Sequence, residues 1–229
     1  GKVVHYKGRE AHAGGAPHLG VNALNAACLG LMAINAQRET FRDEDAVRVH
    51  PIITKGGDMV NIVPADVRME TYVRGRTMEA ILDASKKVNR ALEGAAYAIG
   101  ATVEIQEIPG YLPLHNDPGL TAVYARNAAA LLGADCVEQA EFFCGSGDIG
   151  DLSALMPVIL PSQGGYTGAA HSKDMRITDF ESAYIAPAKI LAMTAIDLLW
   201  DGAAEARRIQ KDFQPQLDRE SYLKFWETL

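Results

Sequence analysis

Residues 66–106, DVRMETYVRGRTMEAILDASKKVNRALEGAAYAIGATVEIQ, run from one alternating pattern through a helical one into a second alternating one. In the opening part Val67, Met69, Thr71 and Val73 share one side, while Asp66, Arg68, Glu70, Tyr72 and Arg74 share the other. That is the period of a strand with one covered face. The period then changes: Ile81, Ala84, Val88, Leu92, Ala95 and Ile99 recur every three or four residues, with Thr77 placed to cap a helix and Gly100 to close it. Residues 102–108 return to an extended pattern.

Toward the N-terminus, residues 46–54 alternate, with Val47, Val49, Pro51 and Ile53 on one side and Arg48 and His50 on the other. Val21, Leu24, Cys28, Leu31 and Ile34 mark an earlier amphipathic helix starting near Val21, and residues 2–7 read as a first strand. Four strands and two helices in βαββαβ order predict a ferredoxin-like split βαβ unit, an α+β arrangement with helices on one face and a polar sheet face left open.

Past residue 110 the organisation changes. Asp117-Pro118 predicts a helix start and Gly133 its end. VEQAEFF (137–143) and PVILP (157–161) are short strand candidates, and TDFE (178–181) is a capping-box pattern heading a helix toward Trp200, with Pro187 as a kink. One or two helices are expected over 205–229. This second part, 111–229, has too few strands for a complete sheet of its own.

With 48% hydrophobic residues in 229 the chain can bury a sizeable core. The net charge of −7 without a Lys/Arg cluster predicts neither nucleic acid nor membrane as partner and leaves small molecules or another protein. Three scattered cysteines, Cys28, Cys136 and Cys144, predict reduced, buried thiols and a cytoplasmic setting. No uninterrupted apolar run of membrane-spanning length is expected. The chain opens GKVVHYKG inside a strand and without Met, and is expected to be the rear part of a longer protein.

Several residues invite a chemical reading. Gly145, Gly147 and Gly150 fit a dinucleotide GxGxxG, but Pro157 follows too soon for the long helix that motif requires, which leaves a glycine turn or a loop presenting N–H groups to an anion. His171 lies in a loop before a capped helix, and one histidine does not make a zinc site. His12 sits on the strand-to-helix turn beside Gly14-Gly15, where little bulk blocks a ligand. Asn61 follows Gly56-Gly57 in a long connection, and Arg74 stands on a polar strand face. Each also has a plain structural explanation as a turn former, a surface residue or an ion-pair member.

Together, AHAGGAPHLGVNAL (11–24), VNIVPADVRME (60–70), CGSGDIGDLS (144–153) and GYTGAAHS (165–172) resemble the zinc aminoacylase and carboxypeptidase G family, and within it the amidohydrolase branch containing p-aminobenzoyl-glutamate hydrolase. The resemblance runs to about Gly202. It implies that residues 1–110 are a lid that is also a dimerisation domain, and 111–229 the returning C-terminal portion of an α/β catalytic domain. It further implies His12 as donor to the tetrahedral oxyanion, commonly of the partner subunit's site. Asn61 and Arg74 become substrate contacts, Arg74 for a carboxylate; Gly145, Ser146 and Gly147 become a backbone contact region, and His171 the last metal ligand. Two zinc ions and the amide bond of an N-acyl or N-aroyl amino acid or small peptide are implied for the whole protein, in a homodimer. The remaining ligands and the general base of that family precede the lid, so this chain alone is expected to be inactive. The competing expectation is a noncatalytic dimerisation or ligand-binding module.

Overall fold

The computed structural model describes residues 1–138 and 142–227, in a mixed α and β architecture. The chain divides into two compact units, Gly1–Pro113 together with the segment from Lys224, and Leu114–Leu223.

In the first unit the main strands are β1 (Lys2–Lys7), β3 (Ile52–Lys55), β4 (Asp66–Thr71) and β6 (Thr102–Glu107). They form one sheet in the order β3-β4-β1-β6, every neighbouring pair antiparallel. Two expected strands are each cut in two. Residues 46–54 give β2 (Arg48–Val49) and β3 because Pro51 lacks the N–H a continuous ladder needs, and 66–74 give β4 and β5 (Val73–Arg74), separated at Tyr72. The short pieces β2 and β5 pair with each other in a separate ribbon, Arg48 opposite Arg74 and Val49 opposite Val73.

Helix α1 (Ala23–Ala36) begins after Asn22, whose side chain accepts from the Asn25 N–H, two residues later than the apolar pattern predicts. Helix α2 (Met78–Ile99) is capped by Thr77 and closed by Gly100 at φ 76°, as its sequence foretold. The helices meet along small residues, Ala23, Ala26, Ala27 and Gly30 on α1 and Ala84, Ala91 and Ala96 on α2, and this lets them close over the inward side chains Val4, Tyr6, Val67 and Met69. Tyr6 is wholly buried and donates its hydroxyl to the Leu92 carbonyl. Gly30 has to be glycine, since a Cβ there would lie 2.5 Å from the Tyr6 hydroxyl.

Lys2 occupies an inward position of β1, 2% exposed, and is accommodated only because Glu107 and the Ser85 hydroxyl receive its ammonium. The outward sheet face carries a lattice of charge. Lys55 and Arg68 both reach Asp66, at 2.8 and 3.2 Å, and hold its carboxyl well below the ordinary range; Lys7 reaches Glu104 in the same way.

In the second unit α3 (Pro118–Leu132) starts on an Asp117 cap and stops at Gly133, matching the sequence. Helix α4 (Asp148–Leu155) has eight residues, too short for a dinucleotide fingerprint. β7 (Tyr166–Thr167) pairs with β8 (Arg176–Ile177). PVILP is not a strand: its backbone is instead bound by residues 116–117, with the Asp117 N–H donating to Val158 and the Leu160 N–H to Asn116. The candidate strand VEQAEFF falls in part on residues 139–141, outside the described residues.

A π-type turn, Glu181–Ile185, leads into α5 (Ala186–Asp212), and α6 (Arg219–Glu227) follows. The cap before that turn is Asp179, which accepts from the Glu181 and Ser182 N–H groups, rather than the expected Thr178. The break in α5 lies at Trp200–Ala203, where Asp201, Gly202 and Ala203 take left-handed φ values; Pro187 sits harmlessly in the first turn. The segment Glu181–Asp212 is long and apolar enough to cross a membrane by length and composition only; Lys189 and Asp197 interrupt its apolar residues, so it is not the uninterrupted run whose absence was expected. The cysteines are in no disulfide, but Cys28 and Cys136 are exposed and Cys144 half-buried, because each falls off the packed face of its segment.

Candidate functional site

Beyond Lys7 the chain keeps a ladder with the segment that precedes β4. The Gly8 N–H donates to Ala65, Val63 N–H to Ala11, and Ala13 N–H to Asn61. Continued outward, the register Lys7↔Asp66 would oppose His12 to Asn61, yet His12 bridges Ile62. This one-residue slip acts as a bulge does, re-aiming the side chains beside it. Gly8 makes the turn feasible, because a Cβ there would sit 2.0 Å from the Val21 carbonyl oxygen.

His12 is exposed, and its ring is held from one side. Nδ1 accepts from the Gly15 N–H at 2.9 Å and from the Gly14 N–H at 3.2 Å. Two donors on Nδ1 require its lone pair, so the neutral ring carries its proton on Nε2. Nε2–H has no partner among the described residues and faces solvent: a positioned donor with nothing yet to donate to. The exposed Asn61 side chain lies at the same end of the sheet. Beside them opens a hollow of about 560 Å³ lined by Ala13, Pro17, Leu24, Met59 and Val60.

Arg74 is elsewhere. β4 runs from Asp66, opposite Lys7, to Thr71, opposite Lys2, and β5 continues past that far end. Five strand rises separate the two ends, about 17 Å. Within one copy of this unit the structure therefore brings His12 and Asn61 together and keeps Arg74 apart. The Arg74 guanidinium lies 5.3 Å from the Tyr72 ring centroid, a cation–π distance.

In the second unit Gly147 is the N-cap of α4 and the exposed Ser146 precedes it. Two amides at this helix start are already engaged, Ile149 with the Asp148 carboxylate and Gly150 with the Gly147 carbonyl, so Gly145–Gly147 is a weaker anion loop than its glycines suggest. His171 is exposed at φ 62°, a left-handed conformation that is uncommon away from glycine and asparagine. No cluster of three His, Cys, Asp or Glu able to hold a metal occurs among the described residues, so His171 would be a single ligand. Two features are not foreseen from the sequence: the Gly14 and Gly15 amides as the device that sets the His12 tautomer, and Arg48 opposite Arg74. The glycines are visible there only as missing bulk, and the Arg48 pairing needs the β2–β5 register.

Residues 1–99 match the M20 peptidase dimerisation domain. The chain is 30% identical to mouse Xaa-Arg dipeptidase, covering 96% of this chain and 52% of that protein. It is 28% identical to one of the subunits of Escherichia coli p-aminobenzoyl-glutamate hydrolase, covering 86% of this chain and 46% of that protein. The aminopeptidase PepT structure from Bacillus cereus superposes with a TM-score of 0.60 at 22% identity, covering 86% of this chain and 50% of that one, a likeness of fold. The chain thus spans about half the length of the curated relatives it matches.

Proposed function

Because this chain belongs to the M20 family of peptidases and amidohydrolases, we propose that it supplies the oxyanion donor and the substrate-holding side chains of a metal-dependent amide hydrolase. In this reading residues 1–110 are a ferredoxin-like lid and dimerisation domain and 111–229 belong to the catalytic domain. The strand order β3-β4-β1-β6 with two helices supports the first assignment.

The observation that carries the proposal is the His12 ring. Cleaving an amide converts its carbonyl oxygen to an oxyanion, which is stabilised by donors aimed at it beforehand in a site closed to water. The Gly14 and Gly15 amides leave His12 with its only N–H at the outer edge of the ring, pointing away from its own turn. Asn61 adds a second polar group at the same end, and Arg74 offers a planar fork that fits a substrate carboxylate in two parallel bonds. Since Arg74 lies at the opposite end of the ladder, the three serve one substrate only when two copies associate, His12 and Asn61 crossing to the partner.

The described residues do not complete a metal site. Zinc would depend on ligands outside this sequence, with His171 one contributor, and nothing in the donor geometry of His12 depends on it. The substrate class is an N-acyl or N-aroyl amino acid or a small peptide; cysteines outside any disulfide, Cys28 and Cys136 exposed among them, support a cytoplasmic setting.

The test is amide hydrolysis by the full-length protein and its His12→Ala variant. A fall in kcat of about 100- to 1000-fold is expected, the usual cost of one oxyanion donor. An unchanged kcat overturns the assignment.

A further inference from the structure

The connection from β3 to β4 opens with Gly56, Gly57, Asp58, Met59 and Val60 before it reaches Asn61. From Gly56 to Asn61 no backbone N–H donates a hydrogen bond among the described residues, which puts the stretch at the low end of local stability. Gly57 takes φ 138°, a conformation that residues with a Cβ rarely adopt, and a Cβ on Gly56 would meet nothing closer than 3.8 Å, so the pair is free to turn. The far end is fixed. The Asn61 carbonyl accepts from the Ala13 N–H, and Ile62 bridges His12. Val60 stands two residues from Ile62, so its Cα stays within about 7.6 Å of the Cα that faces His12.

The tip carries two large apolar side chains: Met59 is 59% exposed and Val60 fully so. One such residue on a surface is ordinary, but these two rim the hollow of about 560 Å³ whose lining also includes Ala13, Pro17 and Leu24. Between them and Gly57 sits Asp58, tied to Lys55 at 3.1 Å. That lysine is shared with Asp66 at 2.8 Å, and the Asp58 carboxylate is mostly in solvent, so the tie is of the weak, salt-screened kind.

We infer that Gly56–Val60 is a flap: it turns about the two glycines, closes Met59 and Val60 into the hollow and seals the His12 donor from water, while the Lys55–Asp58 pair holds it open at rest. The inference rests on the oxyanion-donor reading of His12, to which it adds the residues that exclude water. A donor serves an oxyanion best in a site closed to solvent. Met59 and Val60 supply that closure with apolar surface that offers the oxyanion no competing charge, and burying them against Pro17 and Leu24 favours the closed position.

Two measurements on the metal-loaded full-length protein test this. The first needs no substrate: relaxation dispersion of the Met59 methyl should report exchange on the μs–ms timescale of loop closure. Asp58→Lys, which turns attraction to Lys55 into repulsion, should raise the closed population about 2- to 5-fold and reduce the broadening of that methyl by a soluble gadolinium chelate. The second is hydrolysis of a panel of N-acetyl amino acids and dipeptides. Met59→Ser combined with Val60→Ser should lower kcat about 10- to 100-fold with little change in KM, less than deletion of the donor itself, and Met59→Leu combined with Val60→Ile should keep the unaltered rate. A Met59 methyl that shows no exchange and is broadened equally in Asp58→Lys overturns the flap. Exchange with an undiminished kcat in the serine pair overturns the seal and leaves the flap. Exchange in a protein that hydrolyses nothing in the panel overturns the hydrolase and leaves the flap.

Discussion

Replacing Gly30 by alanine would raise helix propensity by about 1 kcal/mol in an ordinary helix interior. Here the structure reverses the sign. The new Cβ would sit 2.5 Å from the Tyr6 hydroxyl and 3.3 Å from Leu92 Cδ2, in a core where Tyr6 and Leu92 are both fully buried. The Leu92 methyl can give by a few tenths of an ångström, but the phenol cannot retreat without abandoning its 3.1 Å bond to the Leu92 carbonyl. Overpacking of this kind costs about 1–3 kcal/mol and the lost bond about 1 kcal/mol. Set against the propensity gain, Gly30→Ala should destabilise the unit by about 1–3 kcal/mol. Tyr6→Phe alone should cost about 1 kcal/mol. In that background the clash disappears, since the nearest ring carbon, Cζ, lies 3.5 Å away, and Gly30→Ala should become neutral or stabilising. The coupling between the two sites is then about 2–3 kcal/mol. Hydrogen exchange in peptides from α1 and α2 reads this without requiring the whole chain to unfold in one step: about 2 kcal/mol corresponds to roughly 30-fold faster exchange in Gly30→Ala. Additive effects of the two substitutions, or slower exchange in Gly30→Ala alone, would refute the packing argument.

Isotope-labelled His12 should show an unprotonated Nδ1 and a protonated Nε2 in its neutral form, and Gly15→Pro, which deletes one of the two donors, should mix the tautomers; a protonated Nδ1 in the unaltered chain contradicts the geometry. Gly8→Ala should cost about 2 kcal/mol or more and speed exchange across 9–21, because its Cβ meets backbone rather than a movable side chain; protection equal to that of the unaltered chain counts against it. Acid should weaken the first unit. Burial pushes the Glu107 carboxyl up, but the Lys2 and Asn89 bonds outweigh it and leave it below the ordinary value, and Lys55 and Arg68 lower Asp66 further. A folded-state value below the unfolded one gives stability that is present above ordinary carboxylate values, 3.8 for Asp and 4.5 for Glu, and lost as pH falls through the depressed ones. The melting temperature should therefore drop as pH is lowered from about 5 to 3, and drop less steeply in Glu107→Gln; identical slopes would remove Glu107 from the account.

The first unit was legible because its elements are regular where they are buried. Alternation at Val67, Met69 and Thr71 and the 3.6 period of α2 both report a face covered by one core, and periodicity records little else. What it misses is where pairing partners change. Tyr72 and Pro51 interrupt no hydrophobic pattern, yet they divide the strands and create the ribbon on which Arg48 meets Arg74. The second unit was harder to read because much of its apolar surface is not covered within it: Leu191, Ile196, Leu199 and Trp200 are exposed, while only Ala186, Ile190, Thr194 and Ile209 of α5 are buried, so most of the apolar residues on that helix report no burial. In the candidate site the histidines and glycines stood out as residue types. The tautomer, the register slip at His12 and the distance between His12 and Arg74 are properties of three-dimensional pairing, and no spacing along the chain encodes them.

The length of the β1–β4 ladder has a genetic consequence. If His12 is lent across a two-fold axis while Arg74 stays at home, His12→Ala and Arg74→Ala lesions produced together in one cell would sort themselves: in a mixed pair one pocket inherits both defects and the other neither. With random pairing half the assemblies are mixed, so about a quarter of all pockets would be whole, and two individually dead alleles would complement each other.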